Sequence, residues 1–209
     1  MEIKSEIELE KVEREGNLLF PIFLKLENLR LLIIGGGAIG HEKLVAVLKN
    51  SPATDVTVVA PFISDEVNAL ATKYPNVTLI NKPYSLDDLE DKDLVIVATN
   101  DRELSERIKK DTRNKKILTN VADTPDLCDF YLGSVAKKGD LKIAISTNGK
   151  SPTLAKRLRE YFESSLPESM QKVLNNLNQI RNQVEGDLSK KIEALNEVTS
   201  DFLTKSKVK

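Results

Sequence analysis

Short, continuously apolar runs alternate with helix-length amphipathic segments along the first 120 residues of the chain. Strands of this kind, without polar alternation, are typical of a parallel sheet that is covered on both faces. The pattern therefore predicts an α/β fold with a doubly wound, Rossmann-like sheet. The predicted strands are 30–34, 55–60, 77–80, 94–99 and 116–120, and the predicted helices are 38–49, 63–73 and 101–113.

The pattern changes after residue 120. Two strand-like runs, 129–136 and 141–147, are joined by Lys-Lys-Gly-Asp, which predicts a β-hairpin. A helix is predicted to follow, with Ser151 as its N-cap and Pro152 at its first position. Pro167 is expected to end this helix.

The last part of the chain has apolar residues spaced by three or four from Ser169 onward. This spacing predicts an amphipathic helical tail, with Gly186 as a break between two helices. Residues 1–16 are expected to form a frayed or helical extension. The predicted parts are a nucleotide-binding domain at 17–119, a hairpin dimerisation and active-site region at 120–150, and a helical C-terminal domain at 151–209.

Composition restricts the possible functions. The 209 residues are 40% hydrophobic and 30% charged, with a net charge of -1, so nothing global favours nucleic acid or a membrane surface as a partner. A single Cys excludes an internal disulfide and fits a reducing compartment, and one His with one Cys argues against a zinc site. Without an apolar run of about 20 residues, the chain is expected to be cytoplasmic.

A glycine loop, Gly35-x-Gly37-x-x-Gly40, follows the first predicted strand and opens a helix. This is the context that a dinucleotide-binding motif requires, since glycines allow the turn, a close pyrophosphate and close helix packing. Free N–H groups at the helix start would bind the phosphates. The alternative is a glycine-rich turn without a ligand. The predicted phosphate-binding residues are Gly35, Gly36, Gly37, Ala38, Ile39 and Gly40.

The second predicted strand lacks the acidic residue that usually binds the ribose, about 20 positions after the glycines. Asp65 and Glu66 come later, within the next predicted helix, and Ala60 and Pro61 are expected to form a turn. Cofactor recognition would then depend on main-chain groups near Pro61 and Phe62. The absence of Arg or Lys at this turn favours NAD over NADP.

Polar residues also follow the fourth and fifth strands, at the carboxyl edge where ligands of this fold class bind. Thr99 and Asn100 follow one strand, and Asn120 and Asp123 follow the next. For the first pair the alternative is an N-cap by Asn100 or Asp101. Asp123 precedes Thr-Pro, so an ordinary turn and a functional acid are equally open interpretations.

Three stretches, "PIFLKLENLRLLIIGGG", "NVADTPDLCDFYLGS" and "STNGKSPTLAKRLRE", together resemble the precorrin-2 dehydrogenase family. This is the siroheme-synthase N-terminal family, and the resemblance covers roughly residues 18–165. It implies a homodimer, built through the central hairpin region, that oxidises precorrin-2 to sirohydrochlorin with NAD. It also implies cofactor contacts at Ala38–Ile39 and at Pro61–Phe62.

The resemblance assigns the family's essential acid to Asp123. Dehydrogenation needs a hydride acceptor, which is the nicotinamide, and a base for the departing proton, which we predict to be Asp123. Cys128 is expected to be a small buried residue, and Asp126 and Asp129 to be turn or cap residues.

The substrate implied by the resemblance carries many carboxylates, and basic residues cluster where the predicted helix at 151 begins. Carboxylates favour helix N-termini and Arg side chains, although a solvated helix face is the alternative for one or two of these residues. Lys156 belongs to this basic cluster. The predicted substrate-binding residues are Asn120, Ser146, Thr147, Lys150, Ser151, Arg157 and Arg159.

Two other functions compete with the dehydrogenase. One is a bifunctional enzyme that also inserts Fe²⁺ into sirohydrochlorin, with Asp123 serving both steps. The other is a non-catalytic, dimeric NAD-sensing module, which would need neither Asp123 nor the basic helix.

Overall fold

The computed structural model describes residues 16–184 and 186–200. The chain divides into two compact units, Met1–Leu132 and Gly133–Lys209. The extension predicted for residues 1–16 lies, apart from Gly16, outside the described residues.

Unit 1 is a five-stranded parallel sheet in the order β3-β2-β1-β4-β5. This confirms the predicted Rossmann-like class. Because all strands run the same way, their carboxyl ends meet at one edge, where ligands of such folds bind. The strands are β1 (Arg30–Gly36), β2 (Asp55–Ile63), β3 (Val77–Asn81), β4 (Leu94–Val97) and β5 (Leu118–Val121), and the helices are α1 (Ala38–Asn50), α2 (Asp65–Lys73) and α3 (Arg102–Lys115).

The core of unit 1 consists of two apolar clusters that share the central strand. Leu31 and Ile33 belong to one cluster, and Leu32 and Ile34 belong to the other. Successive side chains of a strand point to opposite faces, so β1 is buried on both. This explains why its sequence is continuously apolar.

The second strand extends further than its sequence predicts, so the turn expected at Ala60–Pro61 is wrong. Ile34 pairs with Val59, but Gly36 pairs with Ile63, so two steps along β1 match four along β2. The additional residues form a bulge in β2. Pro61 has no N–H to give to the ladder, which is a physical reason for an interruption at this point.

The connection from β3 to β4 contains a 3-10 turn at Leu86–Leu89 instead of a full helix, and the apolar pattern did not predict it. Tyr84 is buried, and its hydroxyl donates to the Asp111 carboxylate of α3 at 3.1 Å. Burial, followed by this hydrogen bond, raises the pKa of Tyr84. Tyr84 therefore attaches the connection between β3 and β4 to helix α3.

Unit 2 contains the hairpin and three helices, as predicted. The antiparallel strands β6 (Ser134–Lys138) and β7 (Leu141–Ile145) flank Gly139, which has a positive φ of 59° in the turn. The helices are α4 (Pro152–Ser165), α5 (Met170–Gln183) and α6 (Leu188–Thr199). Within the described part of the chain, no helix is long and apolar enough to cross a membrane.

The first hairpin strand begins at Ser134, and not at residue 129 as its sequence predicts. Residues 129 and 130 are instead bonded to β5 of unit 1. The apolar and aromatic residues 130–132 favour a strand in the sequence, but the bonds of residues 129 and 130 to β5 keep this segment out of the hairpin.

Candidate active site

The loop after β1 leaves open space at the start of α1. Gly37 is the N-cap residue, with φ -88°, and no side chain caps this helix. A Cβ added at Gly37 would meet no atom within 4 Å. The residue is therefore not required for packing, and a phosphate can approach the free N–H groups of the first turn.

The other glycines of the loop are required for packing. Gly35 has φ 121°, and a Cβ there would lie 2.2 Å from the Ala98 carbonyl oxygen. A Cβ on Gly40 would lie 2.0 Å from the Gly35 oxygen, and one on Gly36 would lie 2.6 Å from the Phe62 oxygen. The glycines thus bring the ends of β1, β2 and β4 together around the start of α1.

The end of β2 carries an exposed aromatic side chain. Pro61 is exposed and Phe62 is 69% exposed, although such a large apolar side chain is usually buried. Asp65 and Glu66 lie in the first turn of α2, as predicted. The pKa of the Glu66 carboxyl is lowered by its own backbone N–H, by the Ser64 hydroxyl and by the charge of His41.

At the end of β4, Asp101 is the N-cap of α3, accepting the Leu104 N–H at 3.0 Å. The Thr99 hydroxyl accepts the Asp101 N–H at 3.2 Å. Asn100 is exposed. Of the two alternative N-caps, the structure has Asp101, which leaves the Asn100 side chain at the edge of the sheet.

The loop after β5 folds back along its own strand. Asp129 donates its N–H to the Thr119 oxygen at 2.8 Å, and its carboxylate accepts the Thr119 N–H at 2.9 Å. The same carboxylate forms an ion pair with Lys109 of α3 at 2.5 Å. Asp129 is therefore a structural residue that attaches the loop to the sheet.

Cys128 and Asn120 make further bonds in this loop. The Cys128 Sγ accepts the Val121 N–H at 3.2 Å and lies 3.2 Å from the Val121 oxygen. The Asn120 Nδ2 donates to the Phe130 oxygen at 2.8 Å, and the Asn120 side chain is buried. Cys128 is half-buried, in partial agreement with its predicted role. The Asn120 amide nitrogen is bonded within the loop, to the Phe130 oxygen.

Asp123 differs from the other acids of the loop. Asp126 is paired with Arg102 at 3.2 Å, and Asp129 with Lys109. Asp123 is exposed, and within residues 16–184 and 186–200 no hydrogen bond or ion pair engages its carboxylate. Its φ is 55°, a left-handed conformation that Asp tolerates better than most residues. The loop thus presents one uncommitted acid.

The candidate residues of unit 2 surround the start of α4. The Ser151 hydroxyl accepts the Leu154 N–H at 3.2 Å, which confirms the predicted N-cap. The Thr147 hydroxyl accepts the Ser151 N–H, and the Ser146 hydroxyl accepts the Asn148 N–H, both at 3.2 Å. These hydroxyls shape the turn that leads into the helix.

The basic residues in and just before α4 fall into two kinds. Lys156 lies 4.0 Å from Glu160, which makes it one of the ion-paired residues. Arg159 is bonded to Glu163 at 2.9 Å and to Glu160 at 3.3 Å. Lys150 and Arg157 are exposed, and in the part of the chain that the structure describes neither forms an ion pair. Only these two are therefore free to meet an anionic ligand without first breaking an ion pair.

Sequence reasoning missed the bonds that hold the loop, namely those of Lys109, Asn120, Cys128 and Asp129. Bonds from side chains to backbone leave no periodic signal in a sequence. The density of hydrogen-bonding side chains between 120 and 129 was the one feature that could have indicated them.

The chain matches two family models. One, described as "putative NAD(P)-binding", matches residues 22–134, and the other, described as sirohaem biosynthesis protein central, matches residues 138–165. The first covers all of the candidate residues in unit 1, and the second covers those in unit 2.

Curated relatives include the siroheme synthases of Psychrobacter cryohalolentis and Nitrosomonas europaea. The first is 36% identical over 176 residues, which are 84% of this chain and 32% of the relative. The second is 34% identical over 149 residues, which are 71% of this chain and 31% of the relative. The chain thus spans about a third of the length of these relatives.

Among solved structures, "SirC, precorrin-2 dehydrogenase" is similar with a TM-score of 0.70 and 28% sequence identity. The match covers 90% of this chain and 93% of that one. The expected resemblance is confirmed, and so is the expectation of a NAD-type cofactor. Since one model matches more than half of its residues, the chain belongs to the NAD(P)-binding family that this model describes.

Proposed function

We propose that this protein oxidises precorrin-2 to sirohydrochlorin with NAD as the hydride acceptor. The observation that carries the proposal is the carboxylate of Asp123, which has no partner among the described residues and lies at the same sheet edge as the uncapped start of α1. A dehydrogenase needs these two features together, a cofactor site and a base beside it. The choice of precorrin-2 as the substrate rests on the similarity to a precorrin-2 dehydrogenase.

The residues of the glycine loop fit the cofactor. Gly37 leaves space for the pyrophosphate, and the N–H groups of Ala38 and Ile39 would donate to it at the helix start. Phe62 offers an exposed apolar surface near the loop for the adenosine part. Bound NAD would accept one hydride from the substrate carbon, which leaves one proton to be removed.

Asp123 would take that proton. Its carboxylate has no competing bond within the described residues, so it can accept a proton from the substrate and release it to water. Thr99 and Asn100, at the end of β4, would line the cofactor between the glycine loop and this acid. We assign Asn120 a supporting part, since its amide nitrogen is bonded to Phe130.

The carboxylates of the tetrapyrrole are assigned to the start of α4. Lys150, just before the helix, and Arg157, in its second turn, are exposed and form no ion pair among the described residues. At the helix start itself, the dipole adds to the attraction of Lys150 for an anion. Arg159 contributes less, because Glu160 and Glu163 already neutralise it. The hydroxyls of Ser146 and Thr147, together with the Ser151 cap, would fix the turn that presents Lys150.

We further propose that the active form is a cytoplasmic homodimer in which residues 120–150 serve as the dimerisation and active-site region. Within the described residues β6 and β7 pair only with each other, while α4 packs against them, so the outer edges of the hairpin offer backbone N–H and C=O groups to a further strand. A second hairpin would supply partners for their free edges. The single Cys fits a reducing compartment.

The test is an anaerobic assay of the purified chain with precorrin-2 and NAD, in which NADH formation is followed. The wild type is expected to turn over, and Asp123→Asn, which preserves size and the left-handed backbone, is expected to lose at least about 100-fold in kcat. NAD affinity of the variant should stay within about twofold of the wild type, because Asp123 is no part of the phosphate site.

Two results would contradict the proposal. Full turnover by Asp123→Asn would remove the base assignment, and NAD binding without any turnover by the wild type would favour the sensing module. Addition of Fe²⁺ to the product then tests for metal insertion: a faster change of the tetrapyrrole spectrum than without protein would add the second activity.

A further inference from the structure

We infer that Cys128 is a positioning residue that, together with Asp129, fixes the backbone from which the Asp123 side chain extends. The two residues attach the loop to the free edge of β5, and we call their bonds to Thr119 and Val121 the β5 clamp. The inference deepens the proposed function and rests on it for the role of Asp123.

The outer edge of β5 is covered by residues of the loop that follows it. β5 is the outermost strand of the sheet, and β4 pairs with one side of β5. On the other side, Asp129 takes both the N–H and the oxygen of Thr119. Two residues further along, the Cys128 thiol takes both the N–H and the oxygen of Val121. The clamp thus replaces a neighbouring strand.

The turn between Val121 and Thr124 contains Asp123 and is hydrogen-bonded at both ends. The Ala122 N–H donates to the Val97 oxygen at 2.9 Å, which holds the start of the turn on β4. The Thr124 N–H donates to the Val121 oxygen at 3.3 Å, and the Thr124 oxygen lies 3.5 Å from the Cys128 Sγ. Cys128 therefore contacts the residues that flank Ala122 and Asp123 on both sides.

The backbone of Asp123 itself is in the left-handed conformation. A φ of 55° is costly for a residue with a side chain, and it persists only where the surroundings determine it. Since the Asp123 side chain makes no bond within the described ranges, the backbone turn alone sets where its Cβ lies and in which direction the side chain leaves the chain. That turn is held at its two ends by one thiol.

The Cys128 thiol needs its proton to donate a hydrogen bond. Burial raises the pKa of Cys128, so the group stays protonated at neutral pH. A protonated thiol can accept the Val121 N–H and donate to a carbonyl oxygen at the same time. A hydroxyl can do the same over a shorter bond, whereas a methyl group can do neither.

The experiment compares Cys128→Ala, Cys128→Ser and a control, Val56→Ala, in the full chain. Val56 is fully buried at the start of β2, at the opposite end of the strands from the loop, and its truncation lowers stability without touching the clamp. We expect Cys128→Ala to lose at least about tenfold in kcat, since small misplacements of a catalytic group are costly. Cys128→Ser should recover most of this loss.

Two readouts separate positioning from a general loss of stability. The KM for NAD should stay unchanged in Cys128→Ala while kcat falls, and Val56→Ala should keep the wild-type kcat. Amide hydrogen exchange of residues 119–124 should become faster in Cys128→Ala and stay as in the wild type in Val56→Ala, because the Val121 N–H loses its acceptor.

A wild-type kcat in Cys128→Ala, an equal loss in Val56→Ala, or unchanged exchange at 119–124 would each overturn the inference. The exchange measurement needs no substrate, so it tests the clamp even if the wild type fails to oxidise precorrin-2. An inactive wild type would refute the proposed function, whereas an active wild type with an insensitive Cys128 would refute the positioning role alone.

Discussion

The glycines after β1 look alike in the sequence but have different physical roles. Gly35 and Gly40 are surrounded by backbone atoms, at 2.2 and 2.0 Å from an added Cβ. A Cβ added to Gly37 would meet no atom within 4 Å, and its φ of -88° is one that any residue can adopt. Gly35 and Gly40 are therefore required by the fold, whereas we expect Gly37 to be required for binding of the ligand.

We expect Gly37→Asp to abolish NAD binding and to leave the fold intact. An Asp at an N-cap position accepts helix N–H groups, so the ligand-free variant should be at least as stable as the wild type. Its charge and bulk would exclude the pyrophosphate. Calorimetric titration with NAD measures the first effect, and thermal unfolding measures the second.

The matched variant is Gly40→Ala, which is expected to lose several kcal/mol of stability because its Cβ would overlap the Gly35 oxygen. If Gly37→Asp still bound NAD with wild-type affinity, the loop would not be the phosphate site.

The elements of unit 1 were predictable because their strands are buried on both faces, and continuous apolar runs such as Leu31–Ile34 follow directly from that burial. Pro61 suggested a turn because a proline cannot pair fully in a sheet, yet the bulge lets β2 continue to Ile63. The run before Ser134 was mistaken for a strand because the bond between Asp129 and Thr119 is a tertiary contact. The position of Asp123 was predictable, but its lack of partners was not.

At the start of α4, two arginines two positions apart allow a direct comparison. We expect Arg157→Gln to raise the KM for the tetrapyrrole about tenfold, since a free guanidinium that binds a carboxylate is lost. Arg159→Gln should change this KM by less than about threefold and should cost about 0.5 kcal/mol of stability, because its ion pairs lie within one helix. Steady-state kinetics and urea unfolding measure the two effects.

The KM for NAD serves as the internal control for both variants and should not change. Equal kinetic effects of the two substitutions would mean that the helix face is only solvated, or that its ion pairs open when the substrate binds.

The whole chain carries apolar surface that its own described residues leave exposed. Leu18, Ile22 and two aromatic residues, Phe20 at 85% and Phe23 at 69%, precede the first strand. An apolar run of this length is typical of a contact with another polypeptide. Together with the two free edges of the hairpin, it supports association of the chain with a second copy of itself.

We expect sedimentation equilibrium at micromolar concentration to give about twice the chain mass of 23.3 kDa. Double substitution of Phe20 and Phe23 by Ser should weaken this association if the apolar run lies in the interface. A wild-type mass of one chain at every concentration would contradict the homodimer.

The β5 clamp also has a consequence for the state of the protein in a crowded cell. In sheets of the order 3-2-1-4-5-6, the place beside the fifth strand belongs to a sixth. Here Cys128 and Asp129 occupy it, so no peptide from another molecule can add there. Oxidation or alkylation of the thiol would remove the acceptor of the Val121 N–H and expose this part of the edge, where the strand of another chain could then pair, while Asp129 would still cover Thr119.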